Sequence, residues 1–198
     1  MNTFRKVQHL LWAVFLLAPY GLASADWELD SASSTIHFVS VKNVSVGEVH
    51  SFASLVGFIG AAGNAQVTVD LNSVQTLIDI RNERMRELLF ETAKFPVATV
   101  SAQVDPSVLA LASEGGVLTV EVPVTLSLHG QEKTLTTSLV VVGESEGRLR
   151  VFSAAPILVN AADFGLVPGV EALQKIVGLQ SIATAIPVTL QLQFVQAK

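Results

Sequence analysis

The chain has 198 residues, half of them hydrophobic, with 17 acidic against 12 basic side chains and no cysteine. The acidic balance argues against nucleic acid as a partner, and the missing cysteines exclude disulfides, thiolate nucleophiles and a cysteine-borne lipid anchor. Mean hydropathy is +0.52, and after the N-terminus no segment is long and apolar enough for a membrane helix. That leaves the excess apolar surface a large core, an internal cavity or the outside of a membrane barrel.

In chain order, the first segment reads as an export signal. Arg5 and Lys6 precede the uncharged run Leu10 to Ala18, Pro19 and Gly21 break it, and Ala23-Ser24-Ala25 has the small-residue form that signal peptidase cuts. The run is shorter than the ~20 residues a spanning helix needs. Cleavage near Ala25 is therefore expected, placing residues 26–198 in the periplasm or outside the cell. Ten basic residues would then face 17 acidic ones. No repeat and no linker rich in Pro, Gly or Ser divides the remainder, so a single domain is expected.

Most of the chain beyond the leader carries the period of strands. Thr35 to Val41 alternates polar and apolar residues, and Ser54 to Ile59 and Ala65 to Leu71 continue the pattern across Gly60, Gly63 and Asn64. Val97 to Val104, Val117 to Leu128, Thr134 to Val142, Arg148 to Val159 and Ala183 to Phe194 complete about eight strands. Pro123 suits an edge or bulge. His129 to Glu132 and Glu144 to Gly147 read as hairpin turns. Short connections between successive strands predict an all-β fold, a meandering antiparallel barrel. Two segments have helical spacing instead: Asp79 to Phe90, with Asp79 as N-cap, and Val170 to Leu179 after Pro168-Gly169. Helices there would close or gate barrel ends.

Few residues suggest chemistry. Beyond the leader only His37, His50 and His129 remain, and none belongs to a recognisable catalytic motif. Glu48 and His50 share a strand face that His37 could approach, but a metal site needs three or four converging ligands and none is assigned. Arg81, Arg84 and Arg86 are concentrated in one predicted helix. They form either a solvated face paired with Glu83, Glu87 and Glu91, or a cationic collar able to grip a phosphate or polar head group.

The landmarks Trp27-Glu28-Leu29-Asp30, Ser33 to Phe38, Val56-Gly57-Phe58, Ser73 to Thr76 with Arg81-Asn82 and Met85, Phe95-Pro96, Leu128-His129-Gly130 and Asp163-Phe164-Gly165 follow one another in this order. Taken together, they resemble the YceI-like family of exported polyisoprenoid-binding, lipocalin-like barrels over about Trp27 to Phe194. The resemblance implies a lipocalin-like barrel with one or two short helices at its ends and an apolar channel for a long isoprenoid chain. The polyprenyl phosphates and quinones are the ligands it suggests. Ile36, Phe38, Phe58 and Val100 would line the lumen or the outer core. Arg81, Asn82, Arg84, Met85, Leu89 and Phe90 would border the mouth, with Phe164 on the rim. Asn82 stands where the family more often has an acid, and Val170 to Ile182 is longer and more apolar than the usual turn there.

The expectation is thus a binding protein, not an enzyme, with no catalytic residue, no metal and no cofactor beyond a bound isoprenoid lipid or quinone. Transient membrane contact and a homodimer are both compatible with it. Three rivals stand beside it. An outer-membrane barrel is poorly served by one Tyr and two Trp, too few for interfacial girdles. The others are an accessory enzyme of lipid or quinone metabolism and a stress-related barrel with a closed core, acting through its surface.

Overall fold

Four short polar side chains decide where strands bend or stop. Asp30, Asp70 and Asn160 each accept a hydrogen bond from the backbone N–H two residues on, at 3.1, 2.9 and 3.0 Å, and each opens a brief 3₁₀ turn. Asp105 does the same at 2.8 Å, but Pro106 occupies the first turn, and there the chain continues into an α-helix.

The computed structural model describes residues 25–197. Apart from Ala25, the expected leader lies outside them. The strands are β1 (Ala25–Leu29), β2 (Thr35–Lys42), β3 (Val46–Phe52), β4 (Leu55–Gly60), β5 (Asn64–Asp70), β6 (Val74–Gln75), β7 (Val97–Gln103), β8 (Val117–Leu128), β9 (Gln131–Glu144), β10 (Arg148–Ser153), β11 (Ile157–Asn160) and β12 (Ala185–Gln196). Several are halves of one bent strand. β1 and β2 both pair with β12, β3 and β4 run back along them, and β5 and β6 come next. Counted this way, eight antiparallel strands succeed one another and close into a barrel where β12 meets β1 and β2. Closure leaves no long free edge to template aggregation.

The longest ladder is β8 with β9, joined by His129-Gly130 with φ of 52° and 74°. Two successive left-handed residues give the turn a twist that matches the strands. Pro123 lies on β8 one position beyond its last pairing with β7, so its missing N–H falls where that ladder has ended.

Helices account for most departures from the sequence reading. The first predicted helix is α1 (Asp79–Arg84), followed directly by a π-helical turn, Met85–Leu89. Asp79 is its first residue and not its N-cap, which is Ile78 and makes no side-chain cap bond. A helix absent from the expectation, α2 (Pro106–Ser113), buries Leu109 and Ala112 over one barrel end. The third, α3 (Val167–Ile176), starts three residues before the predicted Val170 because Pro168 fits the first turn. The single strand expected over Arg148 to Val159 is broken at Ala154 to Pro156 into β10 and β11. β1 and β6 were not among the predicted strands, and β3 was expected only around Glu48 to His50.

Two glycines let the helices dock. A Cβ on Gly143 of β9 would stand 1.5 Å from the Ala112 carbonyl oxygen, so α2 can settle there only onto a bare backbone. A Cβ on Gly169 would meet the Leu88 carbonyl oxygen at 2.4 Å, where α3 crosses the π turn.

Candidate functional site

Side chains alternate across a barrel wall, so every second residue of each strand faces the lumen. Along β2 these are Ile36, Phe38, Ser40 and Lys42; along β8 they are Val120, Val122, Val124, Leu126 and Leu128. Register aligns like with like: Val67 sits opposite Val100, Val100 opposite Leu126, and Val124 opposite Leu135. The inward set fails to fill the space. A cavity of about 580 Å³ remains, lined almost wholly by aliphatic and phenyl groups, within the ~300–1,000 Å³ typical of ligand pockets. Phe38, Phe52 and Phe90 form an aromatic path along one wall, with ring centres 5.3 and 6.0 Å apart.

The charged groups of the lining are gathered at one end, beside Ser40 and His50. Ser40 Oγ lies 2.9 Å from His50 Nε2, and Glu48 Oε2 takes both Lys42 Nζ and Arg81 Nη1 at 2.9 Å. Arg81 also donates to the Thr76 carbonyl. Burial pulls the Glu48 pKa upward, but hydrogen bonds and charge from Lys42 and Arg81 outweigh it, and the carboxyl is held below its usual range. Burial first, then the positive Arg81, pushes the His50 pKa down, so its imidazole is neutral at pH 7. Ile78, Ile80 and Val177 line the cavity here and are also solvent-exposed, which marks this end as the opening. At the other end the buried α2 residue Leu109 lies on the lumen.

This closed barrel fold is shared with known proteins. The YceI-like domain family matches residues 27–194. The chain belongs to that family. A polyisoprenoid binding domain from Saccharophagus degradans is 41% identical, with a TM-score of 0.85, covering 88% of this chain and 100% of its own. Burkholderia cenocepacia BcnA shares the fold at 20% identity and a TM-score of 0.65, over 83% of this chain and 98% of its own. No curated protein matches the chain.

In this YceI-like domain the residues singled out from sequence divide into two groups. Ile36, Phe38, Arg81, Arg84, Met85, Leu89, Phe90 and Val100 all line the cavity. Phe58, Asn82 and Phe164 do not. Phe58 points to the outer face of β4, into a shallow groove with Glu28 and Leu29. Buried Asn82 accepts from Thr76 N at 2.9 Å and Thr76 Oγ1 at 2.6 Å through its Oδ1. It thus fixes the loop that presents Arg81. An acid could accept the same two bonds, which explains how the amide stands in that place. Phe164 is fully buried, and its carbonyl oxygen lies 3.1 Å from His129 Nδ1. His129 Nε2 reaches Glu91 at 2.9 Å and its ring packs at a tilt against Phe95, so it ties the β8–β9 turn to the segments after the π turn and β11.

Arg86 lies outside the lining and approaches the Asn72 carbonyl at 3.5 Å, so among the described residues Arg81 and Arg84 are the two arginines at the cavity. Metal-ligand convergence fails for the Glu48, His50 and His37 set. His37 is exposed on the outer face, and Glu48 is already paired with Lys42 and Arg81. Ser40, Lys42 and Glu48 were not marked as cavity residues from sequence. The signal was present in the inward alternation of β2, which runs Ile36, Phe38, Ser40, Lys42 from apolar to charged.

Proposed function

We propose that this protein is an exported carrier of a long isoprenoid-type lipid, a polyprenyl phosphate or a quinone, held in the barrel with its polar end at the Lys42–Glu48–Arg81 cluster. The observation that carries the reading is the 580 Å³ apolar lumen ending in a small charged mouth. Family membership supports it, since the relative at 41% identity is itself a polyisoprenoid binding domain. Each CH₂ removed from water contributes about 0.8 kcal/mol, so several isoprene units outweigh the cost of ordering the chain. Export rests on the leader read in residues 1–25.

Binding, without turnover, is the reading the mouth favours. Ser40 and His50 are within hydrogen-bond reach, but among the described residues His50 Nδ1 has no partner to orient the ring, and Glu48 is taken up by two cations. A nucleophile–base pair needs that third, orienting group.

Native mass spectrometry on protein purified from its own host, followed by organic extraction, tests the proposal. The expected result is a stoichiometric isoprenoid released on denaturation, and a mature N-terminus at Asp26. Filling the lumen with Val100→Trp should abolish retention of the lipid while the barrel still melts cooperatively. A ligand-free mass, together with no uptake of polyprenyl phosphate or quinone, overturns the carrier and leaves a barrel acting through its surface.

A further inference from the structure

Three connections meet around the open end of the barrel, and two carry apolar side chains in strained positions. Val44, at the tip of the β2–β3 turn, is 86% exposed with φ of 69°; Leu77, just before α1, is 94% exposed with φ of 61°. A β-branched or bulky residue in the left-handed region is an outlier, and Asn or Gly would hold either turn with less strain. Neither side chain gains burial within the fold to offset its conformation. Ile78, Ile80 and Val177 continue this exposed apolar surface from the rim into the lumen.

The rim is one connected structure. Asn43 N donates to Ser181 O at 3.0 Å, and Asn43 Oδ1 accepts from Gln180 N at 2.9 Å, which fastens the β2–β3 tip to the loop after α3. Arg81 and Glu48 fasten α1 to the same hairpin. Three of the four charged side chains that line the cavity are cations, Lys42, Arg81 and Arg84 against Glu48, and the exposed acids Asp79 and Glu83 of α1 lie outside that lining.

We infer that this rim is a docking surface for an anionic lipid bilayer. Val44, Leu77 and Ile80 enter the acyl boundary while Lys42 and Arg84 face lipid phosphates, so the lumen opens directly onto the membrane. A peripheral surface needs both ingredients, apolar groups to bury and cations to meet the headgroups. The inference rests on the carrier reading for its purpose, since an insoluble cargo could then pass between bilayer and barrel without crossing water.

The test is flotation of the purified protein with phosphatidylglycerol vesicles, against phosphatidylcholine vesicles and against the double variant Val44→Asn/Leu77→Asn. Asn accepts the left-handed conformation, so this variant should fold at least as well as the parent, which its melting curve checks. The expected result is flotation with phosphatidylglycerol that weakens in salt, and at least about tenfold weaker partitioning of the variant. Once both proteins are loaded from detergent, lipid retained per protein should be the same, because the lumen is untouched. Absence of flotation by the parent overturns the inference, as does equal flotation of the variant. A parent that forms a dimer which the variant dissociates, with no vesicle binding by either, would overturn it by assigning the patch to a second copy. Vesicle binding by a protein whose lumen proves empty would uphold the docking surface and sink the carrier reading alone.

Discussion

At the end covered by α2, Leu109 and Ala112 are buried and Gly143 yields to the Ala112 carbonyl. At the end bordered by α1 and α3, Ile78, Ile80 and Val177 line the lumen yet stay open to water, and Val44 and Leu77 hold left-handed conformations with no burial in return. The same barrel wall runs between the two. One end is capped on its lumen side by packed apolar groups, although Leu111 on the outer side of α2 stays exposed. The other keeps apolar surface, charge and strain together, and such arrangements persist where function outweighs stability.

The largest effect expected from breaking this contrast lies at the covered end. Gly143→Ala would place a methyl against the Ala112 carbonyl, and backbone on both sides cannot rotate away. A loss of about 3 kcal/mol or more is expected, read as a lower urea midpoint with the m-value unchanged. A matching change at the open end, Gly178→Ala, meets no atom within 4 Å. It should cost only the strain of φ +64°, roughly 1 kcal/mol. Equal losses at the two sites would erase the distinction between the ends.

How far the sequence foretold this depends on whether a signal was local. The barrel was legible because inward alternation is written along each strand, and family landmarks from Trp27 to Phe194 reinforced it. The α2 helix was equally local, with Asp105 as cap and Pro106 in the first turn, but an eight-residue helix between two strands carries little periodicity. The face of an alternating strand was not legible. Ile36 and Phe38 point inward and Phe58 outward, although all three sit in similar alternating runs. Nor could the mouth be read in full. Its ion pairs join Lys42 and Glu48 on a hairpin to Arg81, 33 residues beyond Glu48, and only closure brings them together.

A pH series probes the mouth more gently. Burial and the Arg81 charge lower the His50 pKa from its ordinary 6.5, so the unfolded chain takes up a proton before the folded one does. The resulting stability is complete above pH 6.5 and declines as pH falls towards the lowered folded value, with a slope of at most about 1.4 kcal/mol per pH unit. Glu48, also lowered, adds its own loss only below the ordinary glutamate value of 4.5. His50→Gln keeps a partner for Ser40 and removes the first decline. Its melting temperature should therefore change less than the parent's between pH 6.5 and 4.5, and parallel profiles would place His50 outside the pH response.

The smallest expected change has the opposite sign. Leu77→Asn at the open end replaces a side chain that is 94% exposed and left-handed with one that tolerates φ of 61°. Relief of strain should raise stability by up to about 1 kcal/mol, visible as a higher melting temperature. Most single substitutions destabilise, and surface ones away from special features lie within about ±0.5 kcal/mol. A gain here would mean that the native leucine is kept against stability, as a residue serving a surface outside the fold must be. A loss would mean that Leu77 is held by packing within its own chain, and the two ends of the barrel would then obey one rule.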